Sequence, residues 1–145
     1  MAHEFVHAVL NDLPTPIWLE EGLACNVETS MGHRAHPFSD MHAIREFRLH
    51  WTTHDPSVIT EHVAYRNPRS SQHAYSLAQG MVTQLQHDNE QFVRFILSSS
   101  YEDGGESALQ RIYGSGLSDL INSVITPPRP QGWFARLLNQ WFGID

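Results

Sequence analysis

Lysine is absent from this 145-residue chain, and its nine basic residues are all arginine. Sixteen acidic residues give a formal charge of −7 with histidine neutral. An acidic chain with no basic cluster argues against nucleic acid as the main partner, because phosphate neutralisation needs grouped cations. A single cysteine, Cys25, means that no internal disulfide can form, and it leaves the compartment open. No apolar run approaches the roughly 20 residues of a membrane span. There is no G-x-S-x-G sequence, and Cys25 lacks the context of a cysteine protease, so no nucleophile signature of a covalent hydrolase is present. No convincing polar–apolar alternation appears either, so the expected fold class is mainly α.

The chain holds one domain's worth of residues, with 41% hydrophobic residues to build a core. The spacing predicts helices over 2–11 and 16–30, with Thr15 as N-cap and Pro16 in the first position of the second. A third is expected over 40–50, capped by Ser39 or Asp40, with Met41, Ile44, Phe47 and Leu49 or Trp51 as its apolar stripe. Asp55-Pro56 and Asn67-Pro68 break a less regular stretch that holds a short helix near 57–64. The longest helix is expected over 71–88, on Leu77, Met81 and Leu85. Further helices start at Asn89, with Phe92, Phe95 and Ile96 inward, run over about 105–113 to a Gly114 stop, and continue from Ser115 or Gly116 to about 124. The domain thus covers 1–125. A stiff Pro-rich linker follows over 126–132. Over 133–145 a short amphipathic helix carries Trp133, Leu137 and Trp141 at i, i+4 spacing; it is read first as a cover for apolar surface, and otherwise as a docking helix for a partner, an upstream domain or a membrane surface, the last disfavoured by one arginine and no lysine.

His3-Glu4-Phe5-Val6-His7 is an H-E-x-x-H motif. On a helix, His3 and His7 share a face and can grip one zinc ion, while Glu4 can reach a water on it. In a chain with ten histidines the motif has a chance expectation of roughly 0.04, so it calls for a second feature. That feature is Trp18-Leu19-Glu20-Glu21-Gly22-Leu23-Ala24. A catalytic zinc takes three protein ligands and keeps a fourth position for water. The break at Asn11–Pro16 lets the chain fold back and aim a glutamate, Glu20 or Glu21, at the histidine pair. Gly22 allows close backbone packing beside it.

Together, H-E-F-V-H and P-x-W-L-x-E-G-L-A resemble the gluzincin zinc metallopeptidases, in particular the bacterial peptidase MA-like group. The resemblance extends over about residues 1–125, through Tyr75–Val82, Phe92–Leu97 and Ala108–Gly114. It implies that Glu21, directly before the glycine, is the third ligand, with Glu20 as its solvated neighbour. One Zn2+ ion is then held by His3, His7 and Glu21, and Glu4 acts as general base in peptide hydrolysis. It also implies that Tyr75 is a second donor to the oxyanion; His73 is a rival, and the two do not share a helical face. Enzymes of this kind have a small β-sheet upstream of the H-E-x-x-H helix, so the expected architecture is a zincin-like helical subdomain lacking that sheet, the C-terminal portion of such a peptidase. Peptide or protein is the implied substrate. The alternative is a catalytically weak or inactive zinc-binding scaffold. Where the family often has an acidic or polar residue, one turn after the third ligand, this chain has Cys25, read as a small buried residue. Glu28, two turns on, lies on roughly the same face and can support the site, although a solvated residue is the ordinary reading. His33, His36, His42, His50, His54, His62 and His87 show no ligand spacing beside a carboxylate pair and are read as surface or core residues.

Overall fold

The computed structural model describes residues 2–126 and shows a mainly helical fold. Among these residues there are eight α-helices and no strand: α1 (Ala2–Leu10), α2 (Ile17–Ser30), α3 (Met41–Thr53), α4 (His62–Arg66), α5 (Ser71–Leu85), α6 (Asn89–Ser98), α7 (Glu106–Tyr113) and α8 (Leu117–Ile125). The segment expected near 57–64 divides into a 3₁₀ turn, Pro56–Thr60, and α4, with Glu61 extended between them. No described helix is long and apolar enough to cross a membrane. Beyond Thr126, the expected linker and the helix with Trp133, Leu137 and Trp141 lie outside the described residues.

The core is built on α2 and α5. Trp18 and Leu19 of α2 meet Leu77, Ala78, Met81 and Val82 of α5, all fully buried. Phe95, Leu109, Leu120 and Ile121 close it from α6, α7 and α8. Burial of each large side chain contributes about 1.5–3 kcal/mol, so this cluster fixes the α2–α5 pair as the rigid centre. The Trp18 indole N–H donates to the Gly104 carbonyl at 2.9 Å, which satisfies the one polar group that the side chain carries inward. Gln79, also fully buried, donates from Nε2 to Thr29 Oγ1 at 2.9 Å and adds a polar tie between the two helices.

Helix ends depart from expectation where capping decides them. Thr15 does not cap α2; Pro16 stands at that position with no side-chain bond, and the Thr15 hydroxyl is used elsewhere. α5 stops at Leu85 rather than 88, because Asp88 accepts from the Gln91 N–H and opens α6. In α3, Asp40 is the cap, through the His42 N–H, and the helix runs on to Thr53. Its buried residues are Phe47 and Trp51; Met41 and Leu49 of the expected stripe are exposed, because only the 44/47/51 side of the helix faces the core.

Candidate metal centre

Residues 3, 6, 7 and 10 fall on one face of α1. Val6 and Leu10 are buried against Ala24 of α2, with Leu13, Leu23, Val27 and Ile96 around them. This small second core sets the rotation of α1. Because the histidines share the face with the two apolar anchors, the same packing turns both imidazoles toward α2.

α2 supplies the carboxylates. It is held close to α5 at Gly22, where an added Cβ would lie 2.4 Å from the Ala78 carbonyl oxygen. No side chain fits there, so the residue beside Glu21 must be glycine for α2 to sit at this depth. Glu21 is consequently buried, at 8% exposure.

Three side chains converge. Glu21 Oε2 lies 3.1 Å from His3 Nε2 and 3.7 Å from His7 Nε2. The ligand atoms of the three residues all lie within 4.8 Å of one another. Zinc at about 2.0–2.2 Å from tetrahedral ligands spaces those ligands roughly 3.3–3.6 Å apart, and the two observed separations bracket that spacing. Despite the short approach to His3, Glu21 Oε2 is buried without a hydrogen-bond partner. An acceptor with no donor, facing two ring nitrogens, suits a cation better than a proton.

The outer nitrogens are also held. His7 Nδ1 lies 3.3 Å from Glu20 Oε2, and the other Glu20 oxygen accepts from the Thr15 hydroxyl at 2.7 Å. His3 Nδ1 lies 3.5 Å from Glu28 Oε2. Glu20 is therefore not the solvated neighbour expected from the sequence: it anchors one imidazole, and Glu28 stands behind the other. At His7 the hydrogen-bonded carboxylate keeps the proton on Nδ1 and leaves Nε2 free to ligate. Three carboxylates thus surround two imidazoles, and among the described residues no arginine pairs with any of them. The charge balance calls for a cation.

Of the other expected site residues, Glu4 is exposed, next in sequence to His3, and is not one of the three converging groups. Tyr75 of α5 is half-buried, with its ring 6.4 Å from that of His3 in an edge-on arrangement. Burial, and then the Glu21 charge, push the Tyr75 phenol above its usual range, so it keeps its proton and remains a donor. His73 turns away: its ring stacks on His50 at 4.1 Å. Between the two rivals, only Tyr75 faces the imidazoles. Burial pushes the Cys25 thiol up to about 11, which leaves it an inert buried group.

Two features were not foreseen. His50 and His54 repeat the i, i+4 spacing of the first pair, and their rings lie parallel at 4.0 Å, with His73 on the other side of His50. The second is Arg34. Its guanidinium carbon sits 5.8 Å from the centre of the Tyr75 ring. Both residues line an open cleft of about 870 Å³ that reaches from Tyr75 over Phe47 and Glu46 to His42. The three converging side chains do not line this cleft; Tyr75 does, and its ring stands edge-on to that of His3. The i, i+4 spacing of His50 and His54 was visible in the sequence; the approach of His73 and of Arg34 to their partners was not, since it depends on α3 or the α2–α3 loop meeting α5.

No family model, curated protein or solved structure matches the chain.

Proposed function

We propose that this chain is the helical part of a zinc-dependent metallopeptidase of gluzincin type. The observation that carries the reading is the convergence of His3 Nε2, His7 Nε2 and the unpartnered, buried Oε2 of Glu21. The donor set, two imidazole nitrogens and one carboxylate oxygen, is that of a catalytic zinc with a position left open. When bound there, the ion supplies a Lewis acid that brings the pKa of a water toward ~7 and polarises a peptide carbonyl.

The remaining work falls to side chains. Glu4 takes a proton from the attacking water as its oxygen adds to the carbonyl carbon, and returns that proton to the amine as the C–N bond breaks. Tyr75, kept protonated by burial, donates to the oxyanion from the α5 side. Glu20 and Glu28 hold the imidazole orientations throughout.

The purified protein is expected to hold one equivalent of zinc and to cleave unstructured peptides. Glu4→Gln should keep the metal and lose activity by about 10²–10⁴-fold. Retention of full hydrolysis by Glu4→Gln would remove Glu4 from the mechanism.

One observation favours a second reading. α1 is tied to α2 by only a small apolar cluster, and the centre bridges the same two helices. In that reading zinc is a staple in a binding scaffold, and hydrolysis is absent from wild type and Glu4→Gln alike.

A further inference from the structure

Resting on the peptidase reading, we propose that Arg34 is a specificity-determining residue that receives a substrate carboxylate, placed one to three residues from the bond that is cut.

The placement of Arg34 is built into the end of α2. Gly32 adopts φ +73°, and two bonds close the helix behind it: the Gly32 N–H to the Thr29 carbonyl at 3.0 Å, and the His33 N–H to the Glu28 carbonyl at 2.9 Å. This paired closure with a left-handed glycine reverses the chain sharply. A Cβ on Gly32 would meet nothing within 4 Å, so the requirement at this position is conformational and not one of space. The reversal carries Arg34 back over α5, onto the face of the Tyr75 ring.

There its positive charge has no partner: among the described residues Arg34 makes no ion pair, and its contact is with an aromatic face. The acidic residues nearest in sequence are otherwise engaged. Glu28 faces His3, and Asp40 caps α3 through the His42 N–H. Glu46 also lines the cleft and forms no ion pair with Arg34. Arg34 lines the cleft, and its planar fork matches a carboxylate entering there in two-point fashion. Tyr75 connects the two regions: its ring centre lies 6.4 Å from that of His3 and 5.8 Å from the Arg34 guanidinium carbon. An extended peptide advances about 3.5 Å per residue, so a chain whose scissile bond lies at the imidazoles passes Arg34 within a few residues. The carboxylate comes either from an acidic side chain or from the C-terminus of the substrate; the guanidinium chemistry is the same for both.

Binding, not turnover, is the test. Zinc-loaded Glu4→Gln protein is titrated calorimetrically with four versions of one short peptide: Glu or Gln near the scissile position, each with a free or an amidated C-terminus. Tighter binding of the Glu peptides assigns an acidic side chain; tighter binding of the free acids assigns the chain end. Adding Arg34→Ala should weaken the preferred peptide about tenfold or more and leave the uncharged Gln amide nearly unchanged. Arg34→Lys should recover part of the loss, because it restores the charge without the fork. Equal weakening of all four peptides by Arg34→Ala would make the residue a support for Tyr75 and overturn the proposal. A carboxylate preference that survives Arg34→Ala would place that carboxylate on the metal and overturn it too. If wild type holds zinc and cleaves peptides without discriminating among the four, the peptidase reading stands and the role of Arg34 falls. If no zinc binds, both fall.

Discussion

Two pairs of histidines, each four residues apart on a helix, behave in opposite ways in this molecule. The His3 and His7 rings are tilted by 53° at 4.9 Å, and each has a carboxylate on its outer nitrogen. The His50 and His54 rings lie 10° from parallel at 4.0 Å, and His54 Nδ1 rests 2.9 Å from the His50 carbonyl oxygen. Parallel stacked rings direct their in-plane lone pairs past one another, so no single ion can sit on both; tilted rings direct them to a common point. The spacing is shared, and what differs is the neighbour. α2 brings three glutamates to the first pair, whereas α5 brings His73 to the second. The i, i+4 rhythm makes a site possible, and the partner helix determines whether it becomes one.

The sharpest break in this contrast is Glu21→Ala. It should weaken zinc binding on the order of 10³-fold in a competition titration with a chelating dye, since one of the three proposed ligands is gone. His54→Ala should leave both stoichiometry and affinity unchanged; an equal loss there would mean that the second pair binds the ion. Next in size is Gly22→Ala. The added methyl meets the Ala78 carbonyl oxygen and the Val82 side chain, where α2 crosses α5. Chemical denaturation should show a loss of about 3 kcal/mol. It should also lower zinc affinity, because α2 must move away and take Glu21 with it, while the His50 stack stays in place.

A smaller effect separates ligand from support. Glu20→Gln keeps the shape but removes the charge behind His7, and it should weaken zinc about 10–100-fold without changing the stoichiometry. No change at all would return Glu20 to the role of bystander. The smallest effect belongs to the second pair. Burial, then His73 and His54, lower the His50 pKa from 6.5 to about 4. A histidine with a depressed folded-state pKa stabilises the fold above its unfolded value. Stability is therefore full above pH 6.5 and falls as pH drops from 6.5 toward 4. With allowance for solvent at this half-buried ring, the loss is about 1 kcal/mol. Thermal melts of metal-free protein across that range should show it, and His50→Gln should flatten the slope.

Much of the fold was legible because local rules act within single helices. The Leu77–Met81–Leu85 repeat marked α5, and the left-handed Gly114 ended α7 where expected. The misreadings fall where two local signals compete. Thr15 looks like a cap, but its hydroxyl is drawn to Glu20. Residues 86–88 continue the helical pattern of α5, but Asp88 claims the start of α6. The site divides in the same manner. The choice of Glu21 over Glu20 as the converging carboxylate agrees with the geometry, yet the partnership of Glu20 with His7 was invisible, because two successive helical residues point about 100° apart and the sequence does not say what lies on each side.

By itself, the sequence determined that His3 and His7 share one face with Val6 and Leu10, that glycine stands beside a pair of glutamates, and that helices dominate. These are matters of period and backbone freedom, which act over a turn or two. Only the tertiary structure decided which glutamate converges on the imidazoles, which ones stand behind them, why the second histidine pair stacks, and that Arg34 lies over Tyr75. Those outcomes depend on the depth at which α2 meets α5 and the angle at which α1 and α3 pack. Such distances are set by side chains far apart in the chain, filling one shared interior.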